Sequence, residues 1–425
     1  MKRFLLSVAI AATGLGLFAQ SLDKAKELFK ANKIADAKTE IDKVMADAKN
    51  QKNAEAWYYK CKIYSAVGNN DQLKTQTPDA SAQAFDALKK YVQYDDKKLI
   101  LLQLDQYKPV NEIYQGYFQA GAASYNSSKY ADALANFKGA LEAISYMADK
   151  GWVAQKIDTT SILYAGISAE KAKNTDEAAV FYRTIVDSGI TKIGGNDMVE
   201  IYKWIVDYYS KKKDYANEFK YLSLGKKAYP ADLFWPDTEL ELIRSTKSKD
   251  SLFAKYEEIT TNLPTNHLFL YNYGLELYQY ASDTTTGKRP ANYDELVKKA
   301  QEKLSKSLQI KPDYSKAALV LGQISYNEGV EFQFQAKAVH GAKPEDVKKR
   351  TDLRAQAAKR FDEAIPYFEK VDQILGTQGN LKMDDRAALK DAYDLLITIY
   401  EQKNLKDKAA AYTNKFNNVD KDHHQ

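Results

Sequence analysis

Small and aromatic residues recur along this chain in a fixed order, and that order constrains its fold more than any other feature. In YFQAGAASYNSSKYADALANFKGALE (Tyr117 to Glu142), the small pair Ala120-Gly121 precedes Tyr125. A short polar turn follows, and then Ala133, Phe137 and Ala140 at helical spacing. The same order returns in ILYAGISAEKAKNTDEAAVFYRTIV, with Ala165-Gly166, Ala178, Tyr182 and Ile185. It returns again in YKWIVDYYSKKKDYANEFKYLSLGKKAYP, closing on Pro230, and in YDLLITIYEQKNLKDKAAAYTNKF, with Leu396, Tyr400, Ala409 and Phe416. Each copy reads as two amphipathic helices joined by a turn. A small residue late in the first helix lets the second approach closely. Ala133, Ala178, Ala364 and Ala409 give the reciprocal small surface, and Phe137, Tyr182 and Phe368 fill the gaps between neighbouring hairpins. Pro230, Pro264 and Pro312 fall just past second helices, because proline cannot continue the hydrogen-bond ladder.

This pattern resembles the tetratricopeptide repeat (TPR), a helix–turn–helix unit of about 34 residues. Weaker copies fill the rest of the chain: Ala25, Leu28, Ala37, Ile41 and Val44; Trp57, Cys61 and Tyr64 with Ala84, Leu88 and Tyr91; Tyr273-Gly274; and Leu321-Gly322 with the helix around Ala364. The expected fold is all-α, a right-handed superhelical solenoid of roughly nine hairpins over residues 20–418, followed by a polar tail at 419–425. Two departures from the pattern blur the unit boundaries. Glu218 stands where the second helix usually has alanine, and the unit ending at Pro264 lacks the small residue in its first helix. Insertions stretch the repeat near 69–83, 280–297 and 327–360. The largest keeps helical composition broken at His340-Gly341 and Pro344, which reads as two prolonged helices turning at HGAKP. Such a hairpin suits a partner or a second protomer, or is a tolerated surface elaboration.

The first residues, MKRFLLSVAIAATGLGLFAQ, place Lys2 and Arg3 before a short apolar run that ends at Ala19-Gln20. This is the pattern of a secretory signal peptide, residues 1–19, cut after Ala19. A lipoprotein would need a cysteine at the cut, and none is there. The expected location is therefore the periplasm, soluble and without a lipid anchor, and no later stretch is long and apolar enough to span a bilayer. Without Lys2 and Arg3 the formal charge falls from +5 to +3, with 60 bases against 57 acids interleaved along the chain. A nucleic-acid binder would show a basic face or tail, so none is expected as partner. The lone Cys61 lies between Tyr58 and Tyr64 in a helical pattern and reads as a small packed residue.

Signals for chemistry are missing from the sequence. The four histidines, His267, His340, His423 and His424, are isolated or in the tail, so no metal site is expected. TTTGKRP, from Thr284 to Pro290, lacks the upstream glycine and the Ser or Thr after lysine of a phosphate loop. No nucleophile elbow and no Cys/His dyad appears. Neither catalysis nor a cofactor is expected.

The resemblance instead implies peptide or protein binding on a concave face lined by the first helix of each unit. Residues between the packing positions there are Phe118, Tyr125, Asn126, Lys203, Asp207, Tyr271, Tyr278, Tyr326 and Asn327. Rings give apolar contact and amides give paired hydrogen bonds to peptide backbone. The Tyr125-Asn126 and Tyr326-Asn327 pairs fit that use, although asparagine also ends helices. The lysine–asparagine carboxylate clamp of some family members cannot be placed on this sequence, so that ligand class is not expected. The expected function is a non-catalytic periplasmic scaffold for protein–protein interaction, its partners being envelope proteins. The alternative is a soluble periplasmic binding protein for an extended peptide or oligosaccharide. Neither the partner nor the oligomeric state follows from the sequence.

Overall fold

The computed structural model describes residues 21–154, 158–283 and 289–423. The signal peptide, Thr284 to Lys288 of the TTTGKRP stretch, and His424 lie outside them. The chain divides into two compact units, Met1–Trp235 and Pro236–Gln425. Each is a stack of antiparallel helical hairpins, and the fold class is an all-α solenoid.

In the first unit, α1 (Leu22–Lys30) pairs with α2 (Ile34–Ala46). Helix α3 (Ala54–Gly68) pairs with α5 (Ala80–Tyr94), and the insertion between them carries the one-turn α4 (Leu73–Gln76). A short α6 (Ile100–Leu104) leads to the pair α7 (Lys108–Asn126) and α8 (Tyr130–Asp149). Next come α9 (Thr159–Lys171) with α10 (Thr175–Asp187), and α11 (Val199–Lys211) with α12 (Tyr215–Ala228). A two-residue β-ribbon, Lys192–Ile193 with Asn196–Asp197, joins these last two hairpins. Side-chain caps start several helices: Asn53 on α3, Asp158 on α9, Asn174 on α10 and Asp214 on α12 each accept from a backbone N–H of the first turn.

The turns inside hairpins share one geometry. Asn32, Ser128, Lys173 and Lys213 all take left-handed φ, between 55° and 63°. In each case the next residue's N–H reaches back five positions, as in Lys129 to Ser124 O (2.9 Å) and Asn174 to Ala169 O (2.8 Å). None of these residues is glycine, so the sequence showed only a polar turn there.

The division between the units falls inside α13 (Phe234–Thr246). In the second unit the remaining helices are α14 (Lys249–Asn262), α15 (His267–Ser282), α16 (Tyr293–Ile310), α17 (Ser315–Ala338), α18 (Pro344–Leu375), α19 (Met383–Gln402) and α20 (Lys406–Asp422). α15 pairs with α16, α17 with α18 and α19 with α20. The 327–360 segment forms the end of α17 and the start of α18, with the turn at Val339 to Lys343. Arg350 steadies that turn by donating to the carbonyls of Val339 (2.9 Å) and Gly341 (3.1 Å). Pro230, Pro264 and Pro312 each lie two residues beyond a second helix.

Packing follows the small-against-aromatic rule in both units. A Cβ at Gly166 would come within 2.6 Å of the Tyr182 ring, and one at Gly322 within 2.5 Å of Phe368. The rings therefore occupy the space that glycine leaves, and both are fully buried. Where the unit ending at Pro264 lacks a small residue, Leu240, Leu252, Tyr256 and Ile259 close the core instead. Glu218 is buried in its alanine-type position. Cys61 is buried in the first core, and burial pushes its thiol pKa up to about 12, which suits a packing residue.

Candidate functional site

First helices stand side by side in each unit, and the polar and aromatic groups between their packing positions make one face. In the first unit that face begins at a cavity of about 690 Å³ lined by Lys26, Phe29, Lys30, Tyr59, Lys62 and Glu112, among others. Its lysines are largely engaged. Lys26 bonds Glu55 (2.7 Å) and Asp23 (3.1 Å), while Lys62 pairs with Asp105 and lies over the rings of Phe29, Tyr58 and Tyr59. Burial would lower the Lys26 pKa, but its two carboxylates outweigh it and the net shift is upward.

Further along, rings replace charges. Phe118 stacks on Tyr114 and meets Phe137 edge-on (5.7 Å); Phe137 stacks on Tyr164 (5.6 Å), and Tyr164 meets Tyr125 (5.8 Å). A chain of rings thus connects Phe118 to Tyr125 across two hairpins, and Tyr164 is 36% exposed on it. Tyr114 donates to Asp158 (2.6 Å), the α9 cap, and burial together with that carboxylate pushes its pKa up to about 12. Asn126 is exposed as the last residue of α7. Lys203 is held by Glu200 (3.3 Å) and Asp232 (2.8 Å) over the Phe234 ring. Asp207 is exposed on α11.

In the second unit, contacts between first helices tie the face together. Arg244 of α13 bonds Glu276 of α15 (2.9 Å), Asn327 of α17 donates to the Tyr278 hydroxyl of α15 (2.7 Å), and Gln333 of α17 donates to Gln402 of α19 (2.9 Å). Tyr278 and Asn327 are therefore brought together. Asn327 lies inside α17 and ends no helix, whereas Asn126 does stand at a helix end. Tyr326 packs on Phe361 (5.4 Å), with burial and the nearby Asp394 raising its pKa. Tyr271 is half-buried against Tyr314 (5.1 Å).

A polar cavity of about 270 Å³ opens between α13 and α15, lined by Asp237, Glu241, Arg244, Asn272, Glu276 and Gln279 over Leu240, Leu275 and Tyr256. Sequence reading missed this set, as it missed Tyr164 and the Lys26–Lys62 cavity. Tyr164 could have been found, because it directly precedes the small pair Ala165-Gly166 on the exposed side of its helix. The α13 carboxylates could not, since that unit lacks the small residue that sets the helical phase. Among the described residues, no group of three or more His, Cys, Asp or Glu side chains could hold a metal ion, and no helix is long and apolar enough to cross a membrane.

The class this fold defines is a stack of TPR-type helical hairpins whose first helices carry an open aromatic and polar face. Solved structures that it matches are TPR-repeat proteins. One is YrrB, described as a TPR protein with an unusual peptide-binding site, at 17% identity and a TM-score of 0.29 over 48% of this chain and 88% of that one. Another is the C-terminal part of a TPR repeat-containing protein from Cytophaga hutchinsonii, at 15% identity and a TM-score of 0.27 over 94% and 95% of the two chains. A third is a TPR repeats protein from Bacteroides fragilis, at 14% identity and a TM-score of 0.30 over 66% and 98%. At these scores the matches assign no ligand and no partner. No family model and no curated protein matches the chain.

Proposed function

We propose that this protein is a non-catalytic interaction scaffold, exported to the periplasm, that binds other proteins along its first-helix faces within a cell-envelope assembly. The observation that carries this reading is the pair of open faces, each running across successive first helices and lined by half-exposed rings, amides and charges. Such faces suit extended or helical segments of another protein better than a small enclosed substrate. Export rests on the sequence of residues 1–19, with its charged start, short apolar run and small residue at the cut. In-situ crosslinking in intact cells, followed by affinity capture and mass spectrometry, tests the reading. Reproducible links from α7, α9, α15 or α17 to one envelope protein are expected. Only self-links, despite good capture, would overturn it.

The ring chain Phe118–Phe137–Tyr164–Tyr125 supports a second reading, a binding protein for an extended peptide or oligosaccharide. A ligand of that kind would raise the unfolding temperature in proportion to its occupancy. A Tyr164→Ala variant that keeps its fold and loses that rise would favour this second reading over the first.

A further inference from the structure

We propose that the first-helix face of the second unit docks a lysine- and arginine-rich extended segment of a partner protein. The inference rests on the protein-binding reading above and names the chemistry of the partner.

Charge on these four helices is one-sided. Helix α13 carries Asp237, Glu239 and Glu241 against Arg244, and α15 carries Glu276 with no lysine or arginine. Helix α19 carries Asp384, Asp385, Asp391, Asp394 and Glu401 against Arg386 and Lys390; only α17 is balanced. Part of this surplus is offset by bases of α14: Lys255 pairs with Glu239 (3.0 Å) and Lys249 with Glu276 (3.2 Å). Arg244 is taken up by Glu276 and the Tyr256 hydroxyl (3.1 Å), and Lys390 pairs with Asp420 of α20 (2.5 Å). Asp237, Glu241, Asp391 and Asp394 take no ion pair among the described residues, although lysine and arginine outnumber acids in the chain as a whole.

The geometry adds a seat to the charge. Between α13 and α15, Asp237 and Glu241 share a 270 Å³ cavity with Arg244, itself held by Glu276, and with the amides of Asn272 and Gln279, over an apolar floor of Leu240 and Leu275. A lysine or arginine side chain suits that lining, its stem on the leucines and its head at the carboxylates. Along the face, Tyr278, Asn327 and Tyr326 lead on to Asp394, with rings and amides available to the backbone between two cationic anchors. On α19, Asp391 and Asp394 lie three residues apart, one turn of helix, and burial, with the Asp394 charge adding to it, raises the Asp391 pKa. A cationic segment is the occupant whose charge complements this face.

The full chain is titrated with a labelled alternating lysine–serine dodecapeptide and with its aspartate–serine counterpart. With a net charge of +5, unspecific attraction would favour the aspartate peptide, so preference for the lysine peptide reports a local acidic face. The expected result is binding of the lysine peptide alone, weakening with salt. The double variants Asp237→Asn/Glu241→Gln and Asp391→Asn/Asp394→Asn should each lower its affinity about tenfold. Removing the exposed acids Asp36 and Asp149 of the first unit should leave it unchanged. No lysine-peptide binding, or binding indifferent to both double variants when circular dichroism shows the fold intact, overturns the proposal. In-cell crosslinks separate the two readings. Links from this face to neutral or acidic partner segments would sink the cationic docking alone, and the absence of any partner link would sink both.

Discussion

The two units use one packing rule and differ in how they connect and charge their helices. In the first unit, four hairpins close on tight left-handed turns at Asn32, Ser128, Lys173 and Lys213; among the described residues of the second, only the α19–α20 hairpin does, at Asn404. Elsewhere in the second unit only two residues separate α13 from α14, a longer span joins α15 to α16, and α17 and α18 are drawn out to 24 and 32 residues. First helices of the first unit mix lysines with carboxylates and rings, whereas those of the second carry a surplus of acids. A repeat thus fixes what must be buried and leaves turn length and surface charge free, so two stacks built on one rule can present unlike faces.

The rule itself carries the largest expected effects. Phe137→Ala in the first unit and Phe368→Ala in the second should each cost about 3–5 kcal/mol, since both rings are fully buried against glycines of the partner helix. Denaturant unfolding of the two variants measures this. Losses of similar size keep the packing common to both units. A loss below about 1 kcal/mol at one site would show that its unit is held by something else.

Next are the tyrosine hydroxyls that tie one helix to a carboxylate of the helix before it. Tyr182 donates to Glu170 (2.7 Å) in the first unit, and Tyr400 donates to Glu369 (2.8 Å) in the second. Burial and the partner carboxylate push both hydroxyl pKa values well above the ordinary tyrosine range. Tyr182→Phe and Tyr400→Phe should each destabilise by about 1–2 kcal/mol, because the ring stays and only a charge-assisted hydrogen bond goes. A neutral result at Tyr400 with a cost at Tyr182 would divide the units by their polar ties.

The turns give a smaller effect of opposite sign. Lys173 sits at a φ of 63°, a region that costs a residue with a Cβ about 1 kcal/mol. Lys173→Gly should therefore stabilise by about 0.5–1 kcal/mol, and Asn404→Gly by less, since asparagine already tolerates this conformation. Melting temperatures of the two variants rank the sites. An equal gain at both would mean that the turns, and not their residues, set the strain.

Hairpin packing was the part most legible in the sequence, because burial demands small and bulky residues at fixed intervals. Ala165-Gly166 with Tyr182, and Gly322 with Phe368, could be read straight from the spacing. The left-handed turns were not, since Lys173 and Lys213 look like any polar residue and adopt the conformation only because the backbone closes there. The candidate faces were legible in part. Phe118, Tyr125, Tyr278 and Asn327 fell at the right phase and do join their neighbours. The ion pairs of Lys203 with Glu200 and Asp232 were not legible, because the Asp232 contact depends on tertiary placement. The acidic cavity of α13 escaped notice because its helix lacks the small residue that marks phase in the others.

A pH dependence should also separate the units by acid sensitivity. In the second unit, burial works against ionised Glu257. Hydrogen bonds from Lys299, Lys303 and Tyr273 overcome that and hold its pKa at about 2, below the ordinary 4.5. A depressed carboxylate contributes stability above its unfolded value and loses it as pH falls through the folded one, so the loss should run from about pH 4.5 to 2. In the first unit, Asp71 is fully exposed beside Lys74 and the half-exposed Asp214 is held by Asn217, so both should add little in water. The partly buried Asp105 is held, against its burial, below the ordinary carboxylate range by Lys62 and Tyr58. Urea unfolding midpoints at pH 5 and pH 3 should therefore fall more for the wild type than for Glu257→Gln, which has no carboxylate at 257 to protonate. If the two chains lose the same amount, the acid-labile contact lies elsewhere, and this difference between the units disappears.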